Sequence, residues 1–228
     1  MNQRLMSNSS RQYGRSANIL LLVIAALAIG IGFYSYQNTQ TTSVSADNLQ
    51  KATSLHSNPR TLPSFSLTNH LNKSFSNQDL VGSWSMVFFG FTNCPDVCPL
   101  TLSILDQVTS ELRNNDTNSL SVPRNIFISV DPKRDQPEKL KEYVEHFNDD
   151  MIGLTGSKEQ IDSLTQSFGA IYAIADNTTG NYLVDHSAHI FVIAPDGKMV
   201  ALFSTPHDAE IIANDFRTIS ALYKNNKS

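Results

Sequence analysis

Apolar and polar positions divide this 228-residue chain into three regimes. From Asn18 to Tyr36 the run "NILLLVIAALAIGIGFYSY" has no charge, and only Asn18 and Ser35 are clearly polar. About 20 such residues at about 1.5 Å rise span about 30 Å of hydrocarbon, which predicts a transmembrane helix over 17–36. From 37 to 61 the chain is polar without apolar period, as expected of a flexible linker. From 62 to 228 short apolar runs alternate with helical stripes, enough chain for one domain with a sizeable core.

Within that last regime the patterns predict the elements in turn. "SFSLTN" reads as a strand and "HLNKS" as its turn. "WSMVFFGF", 84–91, is almost continuously apolar, the mark of a central strand buried on both faces. Leu102, Leu105, Val108 and Leu112 make a helical stripe over 99–115, with Pro99 in the first turn. "NIFISVD", 125–131, is a strand; 135–147 is a helix, with Asp135 and Glu138 spaced as a capping box. "MIGLTG" is a short strand, and 157–169 a helix ending at Gly169. Two hairpins follow, turning at 177–180 and at Pro195-Asp196-Gly197, then a helix over about 208–223. Strand–helix units followed by a hairpin and a helix predict an α/β fold, a mixed sheet with flanking helices and an inserted hairpin. A cysteine pair where a strand enters a helix is where a thioredoxin-like fold places its active thiols.

Charge changes the picture mainly at the N-terminus. Arg4, Arg11 and Arg15 precede the apolar run with no acid among them, so 1–16 is expected to stay in the cytoplasm or matrix and the 62–228 domain to lie across the membrane. A cleaved signal peptide is the alternative; "VSA", 44–46, is a small-residue site, but lies far past a run long for a signal. The net charge of −4 lacks the basic footprint of a nucleic-acid binder, and no nucleic-acid partner is expected.

Chemistry concentrates in "FTNCPDVCP", which holds both cysteines, Cys94 and Cys98. A disulfide between them closes so short a loop that it contributes only about 2 kcal/mol, little for a domain with a full core. Cys98 falls at a predicted helix N-terminus, where backbone N–H groups favour thiolate. Two thiolates suit redox exchange or a soft metal such as Cu(I) or zinc. Of the six histidines, His56, His70, His146 and His207 read as solvated. His186 and His189, in "LVDHSAHIF", lie at the entrance of a core strand, where three-residue spacing puts them on opposite faces.

Taken in order, "FTNCPDVCP", "ISVDPKRDQP" and "VDHSAHIFVIAPDG" resemble the Sco/SenC family of copper-binding assembly factors for cytochrome c oxidase, over roughly residues 60–225. The resemblance implies a thioredoxin-like copper-binding domain with Cys94, Cys98 and His186 as metal ligands. His189 matches no ligand position, and Asp131 matches the aspartate of the family's "DP" loop, a secondary candidate. It also implies a membrane-anchored metallochaperone rather than an enzyme, delivering copper to the dinuclear centre of the oxidase's copper-bearing subunit. Other copper chaperones and thiol reductants are implied partners. A bacterial inner membrane with a periplasmic domain is the expected setting, a mitochondrial inner membrane facing the intermembrane space the alternative. A thiol–disulfide reductase keeping the oxidase cysteines reduced, or a redox or copper sensor, remains open. The extra residue in Cys-x-x-x-Cys and the lack of a proline beside His186 weigh against an ordinary thioredoxin, and a peroxidase of the same superfamily is disfavoured.

Overall fold

A computed structural model describes residues 22–33, 48–115, 122–170, 172–174, 184–186 and 188–225. The chain falls into two compact units, Met1–Ser43 and Val44–Ser228. In the first, residues 22–33 form helix α1, and every side chain on it is exposed. Among the described residues no helix is long and apolar enough to cross a membrane. The ends of the expected span, 17–21 and 34–36, lie outside the described residues, as does the 1–16 segment.

The second unit is built in the order β1 (Ala52–Ser54), β2 (Arg60–Thr61), β3 (Ser66–Asn69), β4 (Ser74–Ser76), α2 (Asn77–Leu80), β5 (Ser85–Gly90), α3 (Val97–Asn115), β6 (Arg124–Ser129), α4 (Pro137–Glu145) and β7 (Ile152–Thr155). Then come α5 (Lys158–Phe168), β8 (Tyr172–Ile174), β9 (Val184–His186), β10 (Ile190–Ile193), β11 (Lys198–Phe203) and α6 (Ala209–Asn225). The main sheet runs β1-β11-β10-β5-β6-β7-β3-β4, with β2 also on β11. β5, β6 and β7 are parallel neighbours, and the other pairings are antiparallel. β8 and β9 pair antiparallel in a separate two-stranded ribbon.

All six residues of β5 are buried, which explains its unbroken apolar run. Side chains alternate between the faces. On one face Asn125 Nδ2 donates to the Leu105 carbonyl of α3 at 3.0 Å, and Phe127 meets Tyr143 of α4 at 5.4 Å between ring centroids. α6 lies against α3, with Trp84 edge-on to Phe216 at 5.3 Å. On the other face Phe168 of α5 packs on Phe89 at 5.2 Å and on Phe191 at 5.1 Å. The result is the expected mixed sheet with helices on both faces. The carboxyl ends of β5 and β6 open onto one edge, where α/β sheets place their sites.

Three sequence expectations change. The stretch 52–61 is not loose tether: it forms β1 and β2 on β11. Periodicity misses it because these short edge strands have no buried stripe. Buried Asp215 of α6 pins the approach instead, accepting the backbone N–H groups of Gln50, Lys51 and Ala52 at 2.8–2.9 Å. Asp135 caps no helix: α4 starts after Gln136, and Asp135 turns inward. His70 is buried, its Nδ1 accepting the Gly153 N–H at 3.1 Å, and burial holds its pKa below the usual imidazole value. Elsewhere the expected punctuation is present: Gly169 ends α5 at φ 72° and Gly197 turns the last hairpin at φ 77°; the structure adds that Ser157 caps α5 by accepting from the Gln160 N–H.

Candidate metal centre

β5 delivers the chain to the sheet edge, and α3 begins seven residues after its end. Between them the Cys94 N–H donates to the Phe91 carbonyl at 3.2 Å. The Cys98 N–H, in the first turn of α3, then donates to Cys94 Sγ at 3.4 Å. Cys94, and not Cys98, therefore sits as the acceptor at the helix N-terminus, taking one of the N–H groups that a helix start leaves over. Cys94 is half-buried, and Cys98 is 0% exposed.

Cys98 is held as a thiol, contrary to the sequence expectation. Its hydrogen bond to Cys94 is the largest cause of a strongly raised pKa, followed by burial, with the charges of Cys94 and Asp135 adding to it. Its sulfur fits because residue 90 is glycine: a Cβ there would lie 2.7 Å from Phe127 Cε2 and 2.8 Å from Cys98 Sγ.

Asp135 organises the loop that carries Cys94. Its carboxylate accepts the Thr92 N–H at 2.9 Å, the Thr92 hydroxyl at 2.5 Å and the Ser129 hydroxyl at 2.7 Å, and Lys139 Nζ stands 3.5 Å away. Lys139 also donates to Asn93 Oδ1 at 2.6 Å, tying the loop to α4. Sequence reasoning missed this role because D-x-x-E spacing imitates a cap; the nearby Thr92 and Ser129, each at a strand end, were the available signal. Asp131 is also buried, but its carboxylate pairs with Arg134 Nε, and its N–H donates to Ser129 Oγ at 3.0 Å.

His186 ends β9, its backbone in register with Tyr172, and the position of its imidazole is outside what the structure describes. His186 and His189 do not share one strand, so their expected opposite facing does not apply. His189 lies tilted against Phe191, 6.0 Å between ring centroids, with Nδ1 buried and lacking a hydrogen-bond partner. His207 is not solvated: its Nε2 lies 2.6 Å from the Ala188 carbonyl, anchoring the segment just after His186, and burial lowers its pKa. His146 is exposed, against the Phe147 ring. Among the described residues no group of three or more His, Cys, Asp or Glu side chains is placed to hold a metal. The described chemistry is thus a pair of sulfurs within one helical turn, one accessible and one buried.

A thioredoxin-like α/β domain with two thiols where a strand enters a helix is a class shared by redox and metal-binding proteins. The sequence model of the SCO1/SenC family matches residues 53–221, and the chain belongs to that family. It is 32% identical over 213 residues to Protein sco1 of Schizosaccharomyces pombe, covering 92% of this chain and 78% of the relative. The copper-bound crystal structure of Arabidopsis thaliana ScoI superposes with a TM-score of 0.65 at 33% identity, over 70% of this chain and 98% of that one. Copper-bound yeast Sco1 gives 0.64 at 28% identity, over 75% and 90%.

Proposed function

We propose that this protein is a membrane-anchored copper chaperone that binds Cu(I) through Cys94, Cys98 and His186 and delivers it to the dinuclear copper centre of cytochrome c oxidase. The observation that carries the reading is the sulfur pair itself: Cys94 Sγ stands at the surface end of α3 while Cys98 lies against Gly90, one turn further in. Two soft donors at one strand–helix corner suit Cu(I), and family membership and the copper-bound relatives support that metal over zinc.

In this reading copper is cargo. Cys94 meets it first, and Cys98 must then lose a proton that burial and the Cys94 bond hold tightly, so loading releases protons and falls off in acid. His186, from the β8–β9 ribbon, completes the donor set, and Asp131 stays secondary. The anchor is the apolar run 17–36, of which residues 22–33 form the exposed helix α1. The proposed setting is a bacterial inner membrane with the domain in the periplasm, or a mitochondrial inner membrane facing the intermembrane space.

Burial also favours a second reading, in which Cys94 is the attacking thiol and Cys98 the resolving one. A partner disulfide would be reduced to two thiols while Cys94 and Cys98 are oxidised to a disulfide. Cu(I) titration of the reduced full-length protein against a chelator separates the two. One tightly held equivalent, lost in the Cys94→Ala/Cys98→Ala variant, is the chaperone result; turnover of a disulfide substrate without retained copper is the reductase result.

A further inference from the structure

Between β11 and α6 the chain crosses the surface, where Ser204, Thr205, Pro206 and Asp208 are all exposed. His207, among them, is half-buried, and its Nε2 lies 2.6 Å from the Ala188 carbonyl. A carbonyl only accepts, so Nε2 carries the proton and donates. The neutral tautomer selected by that bond keeps only a lone pair on Nδ1. This suits Nδ1, which is buried and has no hydrogen-bond partner among the described residues: no N–H is stranded there.

His207 acts from a fixed base. Asp208, the next residue, starts α6: its carboxylate accepts the Ile211 N–H at 3.0 Å and its carbonyl the Ile212 N–H at 3.0 Å. α6 then buries Ile212, Ala213, Phe216 and Ile219. Ala188, at the other end of the bond, lies in the junction between two pieces of sheet. β9 of the separate ribbon ends at His186, while Ile190 opens β10 in the main sheet, paired with Phe88 of β5 and Phe203 of β11. Held only from Ile190, the chain out to His186 is a four-residue lever of about 13 Å; pinning Ala188 shortens it to two residues, about 7 Å. Metal ligands must settle within about 0.2 Å, so a shorter lever matters.

We propose that His207 is a positioning residue whose Nε2–H bond to the Ala188 carbonyl latches the end of the ribbon to the start of α6 and so limits where His186 can reach. The proposal rests on the reading of His186 as a copper ligand.

His207→Leu removes the donor, whereas His207→Gln carries an amide N–H to the place of Nε2. Both are measured in the reduced full-length protein, with urea midpoints showing that each folds. His207→Leu is expected to weaken Cu(I) binding in chelator competition about tenfold, the loss a supporting residue brings, and His207→Gln to stay within about threefold of wild type. In a His186→Ala background, His207→Leu is expected to change the residual affinity by less than about twofold, because its effect passes through His186. Where the wild type holds copper, three results overturn the proposal: equal losses in His207→Leu and His207→Gln, equal losses in both backgrounds, or no loss in His207→Leu. Amide hydrogen exchange over 184–190 in copper-free protein separates the latch from the copper reading. If the wild type holds no Cu(I), yet exchange there is faster in His207→Leu than in wild type and His207→Gln, with β5 unchanged, the copper reading fails and the latch stands. Unchanged exchange overturns the latch itself.

Discussion

The two sides of the proposed site are built differently. The cysteine side belongs to the core: Cys98 is 0% exposed, packed where Gly90 leaves room, and its loop is tied to β6 and α4 through Asp135 and Lys139. The histidine side is a ribbon whose strands pair with each other rather than with the main sheet. Among the described residues its ties include Tyr172 packing against the edge of the core, the Tyr172 hydroxyl donating to Asp162, and Lys158 Nζ over the Tyr172 ring. The difference teaches that one half of the proposed donor set is made by folding, whereas the other half would be brought by a peripheral element. Changes on the first side should move stability and metal binding together; changes on the second should move metal binding alone.

The strongest way to break that comparison is on the cysteine side. Cys94→Ala/Cys98→Ala is expected to abolish Cu(I) retention; equal binding by variant and wild type in chelator competition would remove the site altogether. Gly90→Ala comes next, because its Cβ would strike Phe127 and Cys98 Sγ within 2.8 Å. It should lower urea stability by about 1–3 kcal/mol, the ordinary range for overpacking, and weaken Cu(I) binding as well. Asp135→Asn keeps the shape but loses a carboxylate acceptor for Thr92 or Ser129, expected to cost about 1–3 kcal/mol in urea melts. The same change removes a negative charge that raises the Cys98 pKa, so Cys98 should ionise more readily.

The smallest effect sharpens the picture of the scaffold. His70 has its pKa lowered in the fold by burial, so the unfolded chain binds the extra proton first. Stability should therefore be fully present above about pH 6.5, the ordinary imidazole value, and decline as pH falls from there toward the folded value. Replacing His70 with Gln should flatten this slope in urea midpoints measured across that window; an unchanged slope would place the pH dependence elsewhere, with His207 the next residue to replace.

Much of this was legible in the chain because the signals were local. β5 is apolar on both faces because it lies at the middle of the sheet, and "NCPDVCP" marks its own strand–helix corner. The features that escaped depend on partners distant in sequence. β1 and β2 are polar edge strands whose approach is held by Asp215, more than 160 residues away. Asp135 has the spacing of a cap but finds Thr92 and Ser129; His70 sits in a turn yet packs beneath Gly153. For His186, the proposed third donor, the motif still supplies more than the fold does.

That makes His186 the place to test the central claim. Cu(I) affinity of the reduced full-length protein, measured by chelator competition for wild type, His186→Ala and His189→Ala with urea midpoints alongside, decides it. The account predicts that His186→Ala weakens binding by more than about 100-fold, beyond what loss of a supporting residue costs, with an unchanged midpoint, while His189→Ala keeps wild-type affinity. Wild-type affinity in His186→Ala would contradict it.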